Sequence, residues 1–203
     1  MKSYPSIEKR FAKKETYYFF DKLDGSNIRA EWSKKKGFYK FGTRKRLLEE
    51  KEEGLGEAVT LIKEFEKDFL DFAKKQKVDR FVAFFEFFGE NSFAGNHEKE
   101  GHKVVLIDLN IYKKGFLHPK DFINLFENSN IEIPKLLYVG KPNQDFFESV
   151  WNGTLEGMTF EGVIGKRMIG KNSHDYFKTK NKAWLDKLKE RCGNNQALYN
   201  RLK

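Results

Sequence analysis

Two stretches, RFVAFFEFF at residues 80 to 88 and KVVLIDLNIY at 103 to 112, are rich in β-branched and aromatic residues and are bounded by glycine, asparagine or charge. Both are predicted to be strands. Because they are apolar on both faces, they belong in the interior of a layered fold. Yet one acid interrupts each run, Glu86 in the first and Asp108 in the second. Glu86 shares a strand face with Val82, Phe84 and Phe88, where an unpaired carboxylate costs several kcal/mol or gives up its charge. Other parts of the chain must compensate these acids.

The remaining pattern alternates helix and strand. Residues 55 to 76 place Leu55, Val59, Ile62, Phe65, Phe69 and Phe72 at steps of three and four, which predicts an amphipathic helix with a core-facing stripe. Further helices are expected at 119 to 127, with Pro119 in the first turn, at 143 to 151 and at 182 to 191. TYYFFDKL, IRAEW, FYKFGT, LLYVG, FEGVIGK and DYFKTK are shorter strand candidates. Without repeats, low-complexity tracts or a proline-rich linker, the 203 residues are expected to form a single domain spanning 1–203. The expected class is α+β, with largely antiparallel sheets flanked by helices.

Composition narrows the partners. The 21 phenylalanines and 39% apolar residues fit a packed globule, while 34% charged residues and the interruption at Glu86 leave no apolar run of the ~20 residues a spanning helix needs. No membrane association is expected. MKSYPSIEKRF lacks the apolar segment and cleavage site of a secretory signal, so an intracellular, cytoplasmic protein is expected. Cys192 is the only cysteine, which excludes an intrachain disulfide and a thiolate-rich metal site and leaves a helix-surface or packing role. The net charge of +9 favours a polyanionic partner, nucleic acid first among them. His97, His102, His118 and His174 sit in polar surroundings without metal-ligand spacing and are expected at the surface. GENSFAGN, residues 89 to 96, reads as a structural turn or a lid.

FFDKLDGSNIR, residues 19 to 29, holds a lysine at the end of an aromatic run. Strand alternation would point Lys22 and Asp24 to one side, with Gly25 permitting a sharp turn. A nucleophilic lysine must be neutral, which requires its pKa to fall from about 10.4 towards about 7 to 8 through burial or nearby cations such as Arg44, Lys178 and Lys180. The plainer reading is an ion pair of Lys22 with Asp21 or Asp24. Glu161 opens EGVIGK directly before a glycine, and Lys178 and Lys180 in FKTK have period two, able to clamp one polyanionic group. Together these groups suit nucleotidyl transfer, with carboxylates for Mg²⁺ and lysines for the charge developing at phosphorus. A G-x-x-x-x-G-K-[ST] phosphate loop is absent.

KLDGSN, GTRKR, FFEFFG, LIDLNI, EGVIGK and FKTKNK occur in that order, and the chain resembles the covalent nucleotidyltransferase superfamily of ATP-dependent DNA ligases, RNA ligases and mRNA capping enzymes from about residue 3 to residue 184. The resemblance implies an ATP-grasp-like nucleotidyltransferase fold and an ATP-dependent polynucleotide ligase that joins 3′-hydroxyl and 5′-phosphate ends through lysyl-AMP. Catalytic roles would fall to Lys22, Asp24, Lys178 and Lys180. Nucleotide binding would involve Asp21, Lys22, Leu23, Asn27, Arg44, Glu86, Ile107, Glu161, Lys166, Lys178 and Lys180, and Mg²⁺ or Mn²⁺ would sit at Glu161 and Asp108. Ile107 stands where the family commonly stacks an aromatic on adenine, and Phe85 where it usually has glycine. Asn27, five positions after Lys22, and YPSIE near the start resemble RNA ligase 2-type enzymes more than DNA ligases. A minimal DNA ligase, a GTP-dependent capping guanylyltransferase and a non-enzymatic nucleic-acid-binding module are the alternatives. With only about 20 residues after the lysine pair, no appended OB domain is expected, and a monomer is the expected state.

Overall fold

The computed structural model of the chain describes residues 1–9, 15–90, 92, 97, 99–170 and 173–203. Its framework is two sheets whose strands are numbered along the chain. The larger has the order β5 (Leu47–Leu48), β4 (Gly37–Thr43), β3 (Ser26–Ser33), β6 (Arg80–Phe88), β7 (Lys103–Ile111) and β8 (Gly115–Phe116), antiparallel throughout. The smaller runs β1 (Glu8–Lys9), β11 (Ser173–Lys180), β10 (Gly162–Ile169), β2 (Tyr17–Asp21) and β9 (Leu136–Gly140), antiparallel except where β1 meets β11. Among the described residues the helices are α1 (Glu57–Glu64), α2 (Glu66–Gln76), α3 (Pro119–Phe126), α4 (Gln144–Asn152), α5 (Lys182–Cys192) and α6 (Gln196–Leu202).

Side-chain alternation explains the layers. Phe81, Ala83, Phe85 and Phe87 of β6 face Val59, Ile62, Phe69, Phe122 and Phe126 of α1, α2 and α3 in the largest core. Val82 and Phe84 point the other way and meet Tyr4, Phe116 and Tyr176, so they lie between the sheets. Tyr17, Phe19 and Phe177 of the smaller sheet pack on Phe146 and Val150 of α4. β6 and β7 are therefore buried on both faces, as their apolar runs predict. Each of the fully buried rings Phe81, Phe84 and Phe85 contributes about 1.5–3 kcal/mol by its removal from water.

The expected elements appear within a few residues, with three differences. The helix expected over 55 to 76 divides at Phe65. Glu66 opens the second piece with its carboxylate held by Trp32 Nε1 at 2.8 Å and Phe38 N at 2.9 Å, and this tether to the sheet sets α2 on its own course. The two-residue strands β1, β5 and β8 and the seven-residue α6 are not expected from the sequence, because pieces that short display no period. His97 is buried rather than on the surface, against the ring of Phe88. His118 instead caps α3, accepting from Lys120 N ahead of Pro119 in the first turn. Residues 91 and 93–96 of the GENSFAGN turn or lid lie outside the described residues. Among the described residues no helix is long and apolar enough to cross a membrane.

Candidate active site

The chain passes from the smaller sheet to the larger at residues 22 to 25, between β2 and β3. Lys22 and Asp24 thus lie on a crossing and not on a strand, so the alternation expected for them does not apply. Gly25 is required there by close approach: a Cβ would stand 2.4 Å from Phe87 O. Lys22 N donates to Gly162 O at 2.9 Å, which pins the crossing beside the start of β10. Gly162 is itself at φ +132 with Thr179 O 2.1 Å from where a Cβ would be, so Glu161 can enter β10 tight against β11. These constraints bring Lys22, Glu161 and Lys180 together from three separate motifs.

They open on a cleft of about 640 Å³ between the sheets, lined by Lys22, Leu23, Asp24, Asn27, Arg44, Glu86, Ile107, Glu161, Lys166, Lys178 and Lys180 among others. Lys22 Nζ donates to Glu161 Oε2 at 2.7 Å, and Lys180 Nζ donates to Glu161 Oε1. The Lys180 ammonium also sits 3.5 Å from the centre of the Trp184 ring. The ion pair offered by the plain reading of Lys22 therefore exists, but with Glu161. Asp21 instead accepts from Thr159 N at 3.0 Å and Thr159 Oγ1 at 2.8 Å, holding the turn that leads into β10.

One carboxylate serving two ammonium groups sets the electrostatics. Burial alone would depress Lys22, but Glu161, Glu86 and Asp24 outweigh it and hold the amine above its ordinary value. The expectation of a depressed Lys22 is thus corrected. Burial and repulsion from Lys22 instead push Lys180 down to about 7, against the pull of Glu161. Burial pushes Glu86 up to about 7, with Lys22 and Arg44 opposing and Glu161 and Asp24 adding to the rise. Glu86 is thus compensated in part by cations and in part by holding its proton.

Asp108 takes a different place. It is absent from the cleft lining, and its Oδ2 accepts from Tyr4, Tyr176 and Lys166 at 3.2, 3.1 and 3.2 Å. It orders the floor of the cleft through Lys166, whose Nζ also donates to Ile107 O at 2.6 Å and lies 5.2 Å from the centre of the Phe20 ring. Among the described residues no group of three His, Cys, Asp or Glu side chains is placed to hold a metal ion. A divalent ion fits here only in the manner of Mg²⁺ sites that combine one or two carboxylates with substrate phosphates. Glu161 lines the cleft and can take that role once substrate phosphates draw its two ammonium partners away, whereas Asp108 is absent from the lining.

Phe20, Pro134, Ile164, Trp184 and Arg201, none of them a candidate from sequence pattern, also line the cleft. Trp184 lies four residues beyond Lys180, and Asn181 between them caps α5 by accepting from Trp184 N at 3.2 Å. That asparagine after FKTK is the one sequence signal for it. Arg201 reaches the cleft from α6, which gave no signal.

Glu86 makes folding stability depend on pH. An acid whose folded pKa lies above its unfolded 4.5 favours folding below about 4.5 and loses that contribution as pH rises to about 7. Lys180 acts in the opposite sense, recovering stability between about 7 and 10.5. Urea melts of wild type and Glu86→Gln are expected to diverge with pH, the wild type losing about 1–2 kcal/mol relative to the variant between about pH 5 and pH 8. Parallel curves would place Glu86 in water.

No protein-family model matches the chain, and no curated protein matches it. Solved structures do match. A mutant of Naegleria gruberi RNA ligase with ATP and Mn superposes with a TM-score of 0.65 at 17% identity, over 88% of this chain and 52% of that one. A second mutant of the same ligase with ATP and Mn gives 0.66 at 19%, over 88% and 53%. The ligase with PPi gives 0.65 at 17%, over 88% and 53%. The chain therefore shares the fold of these RNA ligase structures, in line with the ordered motifs. It spans about half the length of the RNA ligase chains it matches.

Proposed function

We propose that this chain, as one adenylyltransferase domain, is the catalytic part of an ATP-dependent polynucleotide ligase acting on RNA ends through lysyl-AMP at Lys22. The observation that carries this reading is the Lys22–Glu161–Lys180 triad at the sheet crossing inside the cleft. Its support lies in the order of the motifs, in the fold, and in neighbours whose structures hold ATP, Mn or PPi.

Lys22 Nζ attacks the α-phosphorus of ATP, an N–P bond forming as the bond to the bridging oxygen breaks and pyrophosphate leaves. The attacking amine must be neutral, and its proton leaves along the hydrogen bond to Glu161 Oε2. Lys178 and Lys180 stand on one strand face to receive the charge gathering on the α-phosphate. A divalent ion at Glu161 supplies charge neutralisation of the phosphates when bound. Phe20, Ile107, Pro134 and Ile164 offer the adenine an apolar slot, while Arg44, Asn27 and Glu86 face the ribose and phosphates from the larger sheet. AMP then passes from Lys22 to a 5′-phosphate, the N–P bond breaking as the new P–O bond forms. Attack by a 3′-hydroxyl finally closes the junction and releases AMP.

Incubation with α-labelled ATP and Mg²⁺ is expected to leave label on the protein after denaturation, and a labelled protein should seal nicked RNA more readily than nicked DNA. Labelling from GTP in place of ATP would select the capping reading. A protein that binds RNA and takes no label would be a binding module.

A further inference from the structure

Strand β6, which carries Glu86 at the cleft, begins at the other end of the larger sheet, with Val82 and Phe84 buried between the two ends. Register pairs Asn27 with Glu86, Glu31 with Val82 and Ser33 with Arg80, so Arg80 shares the Glu86 face six residues along β6, about 20 Å away. The segment leading from Met1 crosses between the two ends: Arg29 Nη1 donates to Met1 O at 3.1 Å and Ser3 Oγ at 2.6 Å. On its far side is a second pocket of about 440 Å³, lined by Lys2, Glu31, Arg80, Tyr112 and Lys113 among others.

Cations collect at this end because three pieces of chain finish there. The β3–β4 turn presents Lys34, Lys35 and Lys36, all exposed, the β7–β8 turn presents Lys113 and Lys114, also exposed, and β6 begins with Arg80. Two exposed tyrosines order them. Arg80 Cζ and Lys113 Nζ lie 5.2 and 5.7 Å from the centre of the Tyr112 ring, and Lys36 Nζ lies 5.3 Å from that of Tyr39. Glu31 holds Arg80 and Asp79 stands 4.0 Å from Lys34, offsetting two of the charges. The remaining lysines carry the net positive field. Cations gathered on two turns and one strand start at a single sheet end fit a stretch of phosphate backbone, which is a regular row of anions.

We propose that this sheet end is a second nucleic-acid contact surface, gripping the backbone of a strand whose reactive end lies in the cleft. Its affinity for a polynucleotide stands on the surface alone, and only the placement of the reactive end rests on the ligase reading. A B-form strand advances 3.4 Å per base pair and A-form RNA somewhat less, so a 20 Å offset corresponds to about six to seven base pairs from the junction.

The test compares two full-length variants with the same change in charge. One is Lys35→Gln/Lys36→Gln/Lys113→Gln/Lys114→Gln at this surface, and the other is Lys120→Gln/Lys135→Gln/Lys141→Gln/Lys189→Gln elsewhere. Binding to a fluorescent nicked RNA duplex is followed by anisotropy over a salt series. With about twelve base pairs on each side, the surface variant is expected to bind at least about tenfold more weakly, its log–log salt slope falling by about three. The second variant should stay within about twofold of wild type. With about four base pairs on each side, wild type and surface variant should bind alike. Equal weakening by both variants, no weakening by the first, or the same loss on short duplexes would overturn the proposal. Self-adenylylation by the surface variant is expected to match wild type. If wild type takes no label, the ligase reading fails while the binding comparison still decides the surface.

Discussion

Lys22→Ala is expected to remove all covalent label from ATP, a fall of at least about 10³-fold, while leaving the protein folded and still able to bind RNA. The loss follows from chemistry, because among the described residues no other amine stands at the sheet crossing with its tip on Glu161 Oε2. Lys180 occupies the other oxygen and is held by the Trp184 ring. Stability should follow a different course. Glu161 now serves two ammonium groups, and repulsion from Lys22 is among the main causes that push Lys180 down. Removing Lys22 leaves one carboxylate with one ammonium, a simpler buried pair, so the change in unfolding free energy is expected to stay within about 1 kcal/mol. Protein labelling, urea melts and RNA anisotropy on the one variant separate these effects. Residual label at a substantial fraction of wild type would move the nucleophile elsewhere.

Much of the framework is legible in the sequence where local pattern and global fold agree. β6 and β7 combine β-branched and aromatic residues with two apolar faces, and the structure buries both faces between helices and a second sheet. The division of the helix at Phe65 is not legible, because its cause is the tether of Glu66 to Trp32 and Phe38, residues that come beside it only after folding. The same holds for α6, whose Arg201 becomes a cleft residue only once α5 and α6 fold back. Tertiary contacts are the missing ingredient in both cases.

The candidate site divides in the same way. A lysine or acid set inside apolar sequence reports that some compensation exists, which is why Lys22, Glu86, Glu161 and Lys180 stand out together. It does not report which partner provides it. Lys22 and Glu161 are 139 residues apart, and their contact raises the lysine that nucleophilic chemistry would have depressed. Asp108 shows the converse: the same embedded-acid signal marks a carboxylate used by Tyr4, Tyr176 and Lys166 to order the cleft floor. Embedded charge finds the neighbourhood of a site, and geometry assigns the roles within it.

Glu161→Gln is expected to damage both stability and chemistry, unlike the lysine substitution. Its two oxygens are the partners of Lys22 and Lys180, and all three groups are removed from bulk water, with side-chain exposures of 4%, 18% and 3% respectively. An amide keeps the shape but not the charge. Lys180 then has no counter-ion on its Glu161 side while Lys22 still repels it, so it must shed its proton or leave its place beside Trp184. Breaking a buried pair by removing one partner typically costs about 3–5 kcal/mol, and a cost near the lower end is expected because Glu86 and Asp24 still face Lys22. The penalty has a pH signature. A buried lysine with a depressed folded pKa regains stability as pH rises towards its unfolded value of 10.5, so the variant should lag wild type more at about pH 6 than at about pH 9. Self-adenylylation should fall with it, since the proton acceptor of Lys22 and the carboxylate for the divalent ion disappear together. Urea melts at the two pH values check the first part, and labelling at a temperature where the variant is fully folded checks the second. A variant as stable as wild type at about pH 6 would mean that the three groups do not share one buried charge.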